Sequence, residues 1–169
     1  MRVNPLSEGG TEDIAVAGKG KPQAFILPRA DAESLPKADA AVAALEAENG
    51  FAPGSAKLIP TVESVAAVEN INALLASCPR IAAVVFNAAN FLKDLGVADT
   101  GDAMQILHAR SKVALACRAA GVPAIDRPWY DAKDRAGFEA DARNARALGF
   151  TGKLAVNGGQ VPLINEIFA

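Results

Sequence analysis

Asn87 and Asn90 lie three residues apart in "AVVFNAANFLKDLG", residues 83–96. The run Ala83–Phe86 reads as a buried strand, and the polar turn after it opens a helix carrying Leu92 and Leu95. In α/β folds, ligands and metals bind at the carboxyl ends of strands. The turn is therefore where chemistry would be placed. It offers two amides, and its first carboxylate, Asp94, comes a helical turn later. An asparagine oxygen can ligate a hard cation, and Asn90 equally suits an N-cap for the helix that follows. The stretch reads either as a site with an unusual ligand or as one that has lost a ligand.

Other residues able to do chemistry are few. Glu63 in "TVES" follows a strand, where a carboxylate is favoured by the N-terminus of the next helix. His108 is the only histidine, placed in a helical stretch before Arg110, and no serine or cysteine nucleophile is positioned to partner it. Asp126 ends the "PAID" strand, where a hydrogen-bonding role and a catalytic one are both open. Trp129 and Tyr130 follow it, either lining a pocket or packing the loop. The glycines of "GKG" (18–20) and "NGG" (157–159) lack a phosphate-loop pattern and read as turns.

The elements that must position these residues alternate. Strands are expected at Arg2–Asn4, Ala24–Leu27, Lys57–Val62, Ile81–Phe86, Val122–Ile125 and Lys153–Val156. Most are continuous apolar runs, as in parallel strands covered on both faces. Between them, Ser34 and Pro36 open a helix that faces inward with Val42 and Leu45 and ends at "NG" 49–50. Val68, Ile71, Leu74 and Leu75 form a second apolar stripe. Met104, Leu107, Val113 and Cys117 form a third, stopping at Gly121. Phe138, Ala142, Ala145 and Leu148 form the last, closed by Gly149. Repeated β-α order means parallel strands joined by right-handed crossovers. Periodicity leaves open whether the sheet is doubly wound or barrel-like.

Bulk properties narrow the partners. The 169 residues form one domain, 1–169, large enough for a real core. A net charge of -2, mixed along the chain, gives no field for nucleic acid or anionic lipid. No apolar run approaches the roughly 20 residues of a membrane span, and "MRVNPLSEGG" has no hydrophobic signal core. Cys78 and Cys117 have no C-x-x-C spacing, which fits reduced thiols in the cytoplasm.

The segment 108–168 resembles the citrate lyase beta-subunit and malyl-CoA lyase family. The resemblance is carried by "RAAGVPAID", "ADARNARALGFTGKLA" and the ending "Q-V-x-x-I-N-x-x-F". Upstream, "RVNPL", "ILPRADA" and "LIPTVES" look like that family's third, fourth and fifth strands, and "VVFNAANFLKDLG" falls at the sixth. The resemblance implies an α/β, parallel (β/α) TIM-barrel type of fold, incomplete, with about six βα units and the first two strands missing. An eight-unit barrel normally takes about 250 residues.

It further implies a carbon–carbon lyase acting on CoA thioesters of hydroxy acids of the citryl-, malyl- or citramalyl-CoA class. A Mg²⁺ held by two carboxylates would polarise the oxo-acid carbonyl. By the same resemblance Arg2 pairs with the substrate carboxylate, a task its planar fork suits. Glu63 is the metal-binding glutamate, and Asn90 stands where the second metal carboxylate belongs. Asn87 replaces a glycine, Arg29 a lysine, and "NGGQ" an "H-P-x-Q". Losing a negative charge beside a divalent cation costs affinity steeply, so Mg²⁺ is expected to be weak or lost.

Three functions follow: an active Mg²⁺-dependent lyase, a non-catalytic binding or interaction subunit, and a fragment of a longer lyase. The expected partners are a small acyl-CoA or oxo acid. Unpaired strand edges and an open apolar face add the expectation of a homo-oligomer.

Overall fold

A computed structural model describes residues 1–169. Five parallel strands form one sheet: β1 (Ala24–Leu27), β2 (Lys57–Val62), β3 (Val84–Phe86), β4 (Ala124–Asp126) and β5 (Gly152–Lys153). Their spatial order is their chain order, β1-β2-β3-β4-β5. A doubly wound sheet reverses its strand order at a switch point. No reversal occurs here, so the sheet winds one way only, as in an arc of barrel.

The strands at the two ends are shorter than their apolar runs suggest. Arg2–Asn4 contributes a single bridge, Arg2 to Ile26, beside β1. Lys153–Val156 narrows to β5 because the chain leaves the ladder after Leu154 N–H donates to the Asp126 carbonyl. The run Ile81–Phe86 splits into a bridge from Ile81 to Leu58 and the strand β3. β4 starts at Ala124 because Pro123 has no N–H to donate, though its carbonyl accepts from Val84.

The register sorts the strands' side chains onto two faces. The pairs Phe25↔Leu58, Leu27↔Pro60, Val62↔Phe86, Val84↔Ala124 and Asp126↔Lys153 turn toward the helices. Most of them belong to a continuous apolar core shared with those helices. The other face carries Ile26↔Ile59, Thr61↔Val85 and Val85↔Ile125. Ile26, Ile59 and Ile125 on it are only half-buried. Two residues beyond Thr61 and Val85 come Glu63 and Asn87, so period-2 alternation aims both to this second face, at the carboxyl edge.

Eight helices pack outside. α1 (Gly10–Ala17), missed by the sequence patterns, seals Ile14 into the core, and Gly18 after it is pressed onto Leu45. α2 (Ser34–Glu48) starts where Asp31 Oδ1 accepts the N–H groups of Glu33 and Ser34, and it buries Val42 and Leu45 as expected. The stripe Val68–Leu75 breaks into α3 (Val65–Glu69) and α4 (Ile71–Ala76). The segment 88–95 forms α5 (Ala88–Leu95). α6 (Met104–Ala119) buries Val113 and Cys117 as expected, with Ile106, Ala109 and Arg110 beside them, whereas Met104 is exposed and Leu107 half-buried. α7 (Arg135–Leu148) ends in a left-handed Gly149 with φ 101°. A final helix, α8 (Val161–Phe168), packs on α7 and β5. No helix is long and apolar enough to cross a membrane.

Candidate functional site

Glu63 is the centre of the carboxyl edge. It leaves β2 one residue before Ser64, whose Oγ caps α3 by accepting the Ala67 N–H at 3.1 Å. The Glu63 side chain is not a solvated helix-start carboxylate: only 4% of its surface is exposed. Burying a carboxylate is costly unless its oxygens are hydrogen-bonded, and three donors meet it. The Arg29 backbone N–H donates to Oε1 at 2.5 Å, and the Asn87 and Asn90 Nδ2 groups donate to Oε2 at 2.8 and 2.7 Å.

Local chemistry sets these donors. Asn87, not Asn90, is the N-cap of α5; its Oδ1 accepts the Asn90 N–H at 3.3 Å while its Nδ2 turns to Glu63. That geometry frees the Asn90 side chain, in the first turn of α5, to donate to Glu63 rather than cap. Arg29 has φ 50°, an uncommon left-handed backbone for a side chain of its size. Residues held this way tend to cluster at functional sites, and here the conformation aims the N–H at Glu63. The Arg29 Nη1 donates to Glu8 Oε1 at 2.5 Å across the surface.

Two cavities meet at this carboxylate. One, of about 430 Å³, is lined by Arg2, Asn4, Glu8, Asp13, Arg29, Glu63 and Asn90 among others. The second, of about 780 Å³, runs from Arg29, Glu63 and Asn90 over Ala30, Ala66, Ala67 and Leu74 to Lys93. The structure thus brings Arg2, Glu63 and Asn90 together at one opening. Arg2 is exposed there.

A carboxylate accepts and cannot donate, so the amide atoms facing Glu63 are the NH₂ groups, and their oxygens are turned from it. Mg²⁺ requires near-octahedral oxygen ligands at about 2.0–2.1 Å, usually with one or two carboxylates. The single carboxylate at this point is already engaged by three N–H donors, and no cluster of three His, Cys, Asp or Glu stands anywhere in the chain. The residues as arranged do not fit a Mg²⁺ centre.

Other candidate residues fall elsewhere. His108 is exposed on α6. Asp126 is not at the functional face: it is fully buried on the helix side of the sheet, in an ion network that sequence patterns did not reveal. Arg110 grips Asp126 with two bonds of 3.0 and 2.7 Å. Lys153 bridges Asp126 and Asp141 at 2.7 and 2.5 Å, and Arg127 reaches Asp141 at 3.1 Å. Burial alone would raise the Asp141 carboxyl, but Lys153, Arg110 and Arg127 hold it below the usual carboxylate range. The signal for this network was present as Arg110 and Asp141 within apolar helix stripes. Tyr130 is exposed, while the Trp129 ring is half-buried beneath Arg127, 5.8 Å from the guanidinium. The "GKG" and "NGG" glycines lie in 3₁₀ turns. Asn157 caps the second, and buried Gln160 ties it to the Trp129 carbonyl at 3.0 Å.

Residues 1–158 match the HpcH/HpaI aldolase/citrate lyase family. The citrate lyase subunit beta of Escherichia coli K12 is 28% identical over all of this chain and 57% of its own length. The L-malyl-CoA/beta-methylmalyl-CoA lyase of Cereibacter sphaeroides is 34% identical over 77% of this chain and 46% of its own. The chain therefore spans about half the length of these curated relatives. Among solved structures, the citrate lyase beta subunit of M. tuberculosis, complexed with oxaloacetate and magnesium, overlays 99% of this chain and 71% of its own. That overlay has a TM-score of 0.81 at 22% identity and carries the likeness of fold. The sheet order and the sequence match agree, and the chain belongs to the HpcH/HpaI aldolase/citrate lyase family.

Proposed function

We propose that this chain is a citrate lyase beta-like protein that holds a small oxo acid or CoA-linked acid at the Glu63 edge. It cleaves such acids slowly or not at all. The observation that carries this reading is the engagement of both oxygens of the Glu63 carboxylate by Arg29 N–H and the amides of Asn87 and Asn90. In the lyase reaction of the class, breaking the carbon–carbon bond leaves an enolate and an oxo acid, and negative charge develops on oxygen. Preorganised stabilisation of such charge is usually the largest catalytic contribution, and loss of one donor alone can cost about 10²–10³ in rate. Here the buried carboxylate is met by neutral amides, whose NH₂ groups do for it what a cation would. Binding is left to Arg2, whose exposed guanidinium faces the smaller cavity and pairs with a carboxylate bidentately.

The test is incubation of the purified chain with malyl-, citramalyl- and citryl-CoA in Mg²⁺, reading acyl-CoA products by mass spectrometry. Little or no product is expected. Turnover of about one per second or faster, within the ordinary enzyme range, and lost in Glu63→Gln, would establish the second reading, an active Mg²⁺-dependent lyase. That reading is favoured by the placement of Glu63, retained and buried where two cavities meet. Self-association is supported by the half-buried Ile26, Ile59 and Ile125 on the open face, and sedimentation measures it directly. The two buried free cysteines suit a reducing compartment such as the cytoplasm.

A further inference from the structure

We propose that Glu8 is a built-in competitor for the anion site: it holds Arg29, and a small dicarboxylate enters by taking its place on that guanidinium. The inference rests on the reading of the Glu63 edge as an acid-binding site and adds to it the ligand's charge pattern and a residue that sets its affinity.

Arg2 and Arg29 are the two cations lining the smaller cavity, and Glu8, Asp13 and Glu63 are its three carboxylates. Those carboxylates are not equivalent. Glu63 is buried and takes three N–H donors. Asp13, in the first turn of α1, accepts the Asn4 backbone N–H at 2.8 Å. Glu8 alone is joined to a side-chain cation of the cavity, and both members of that pair are more than half exposed, at 62% for Arg29 and 54% for Glu8.

An ion pair so open to water is worth little, because solvent screens it and two long side chains lose freedom in making it. A ligand carboxylate can displace it. The Arg29 backbone is held in the left-handed region with its N–H on Glu63, which roots the side chain at the cavity mouth. Arg2, exposed and unpaired on the same cavity, offers a second fork. Two guanidiniums, one free and one lightly held, suit a short molecule with two carboxylates. No metal takes part in this binding.

The experiment is calorimetric titration of the full chain with malate and with succinate, in chelator so that no divalent cation contributes. Removing the competitor by Glu8→Gln is expected to tighten both by about two- to fivefold, the range of an exposed ion pair converted to affinity. Glu12→Gln, which removes an exposed charge of α1 outside the cavity, leaves the affinity unchanged. In an Arg29→Gln background, Glu8→Gln gives no tightening, because the cation for which it competes is gone. Equal tightening by Glu8→Gln and Glu12→Gln would reduce the effect to net charge and overturn the proposal. So would an unchanged affinity in Glu8→Gln with clear wild-type binding, which leaves the acid-binding site itself intact. Absence of binding in both wild type and Glu8→Gln at tens of millimolar would remove the acid site as well, whatever the thioester assay gives.

Discussion

Asn90→Asp restores a second carboxylate at the point where an amide now donates to Glu63 Oε2 at 2.7 Å. Two changes follow in the metal-free protein. A hydrogen bond to a charged acceptor, worth about 1.5–3 kcal/mol, is lost. A like-charge contact is also created, and two charges 4 Å apart repel by about 4 kcal/mol at an effective dielectric of 20. Asn90 is exposed, so water and salt screen part of that repulsion. A net loss of about 2–4 kcal/mol is expected. For a chain of this length each kcal/mol moves Tm by about 2–4 °C, so the variant should melt roughly 5–10 °C lower.

Mg²⁺ should reverse this loss. A ligand at a hundred times its Kd stabilises by about 2.7 kcal/mol, so 10 mM Mg²⁺ acting on a site of about 0.1 mM recovers most of it. The wild type, expected to bind with a Kd of about 10 mM or weaker, should move by about 1 °C. Differential scanning calorimetry with and without Mg²⁺ reads both. A wild-type shift of several degrees at sub-millimolar Mg²⁺ would refute the account of the amide-held carboxylate. An Asn90→Asp protein that is destabilised yet indifferent to Mg²⁺ would show that Glu63 and position 90 no longer converge on one point.

The buried ion network gives a stability test. Asp141→Asn leaves Lys153, Arg110 and Arg127 facing one carboxylate, and breaking a buried pair costs about 3–5 kcal/mol, measurable by urea denaturation. Because the Asp141 carboxyl is held below its usual range, its contribution is present above the unfolded carboxylate pKa and is lost as pH falls through the lower folded value. The wild-type advantage over Asp141→Asn should therefore narrow only in acid below about pH 4. Burial pushes the Cys117 thiol up to about 12; a neutral thiol does not alkylate, so labelling should require unfolding. With that pKa raised, stability is fully present below the unfolded thiol value of about 8.5 and is lost as pH rises toward 12, which thermal melts across alkaline pH can follow. Gly18→Ala would drive a methyl into the Leu45 side chain, and overpacking of about 1–3 kcal/mol is expected in denaturant melts.

What the sequence determined by itself is local. The strands Ala24–Leu27 and Lys57–Val62 were legible to the residue as continuous apolar runs, and α7 closed at Gly149 because glycine accepts the left-handed turn without strain. Motif resemblance pointed to the family and to Arg2, Glu63 and Asn90, and the three do share one edge of the sheet. Tertiary structure decided the rest, because it depends on which groups meet across the chain. Asn87 and Asn90 both carry an amide, and only the start of α5 made the first a cap and left the second to face Glu63. Asp126 ends a strand as a ligand would, but its register with Lys153 turned it outward to Arg110. On α6 the later part of the apolar stripe, Val113 and Cys117, is buried as read, whereas Arg110 is buried in its ion pair with Asp126 and Met104 is exposed. Polar pairing between distant residues leaves no period in a sequence, and here it determines the hydrogen bonds at Glu63 and the ion network on the helix side of the sheet.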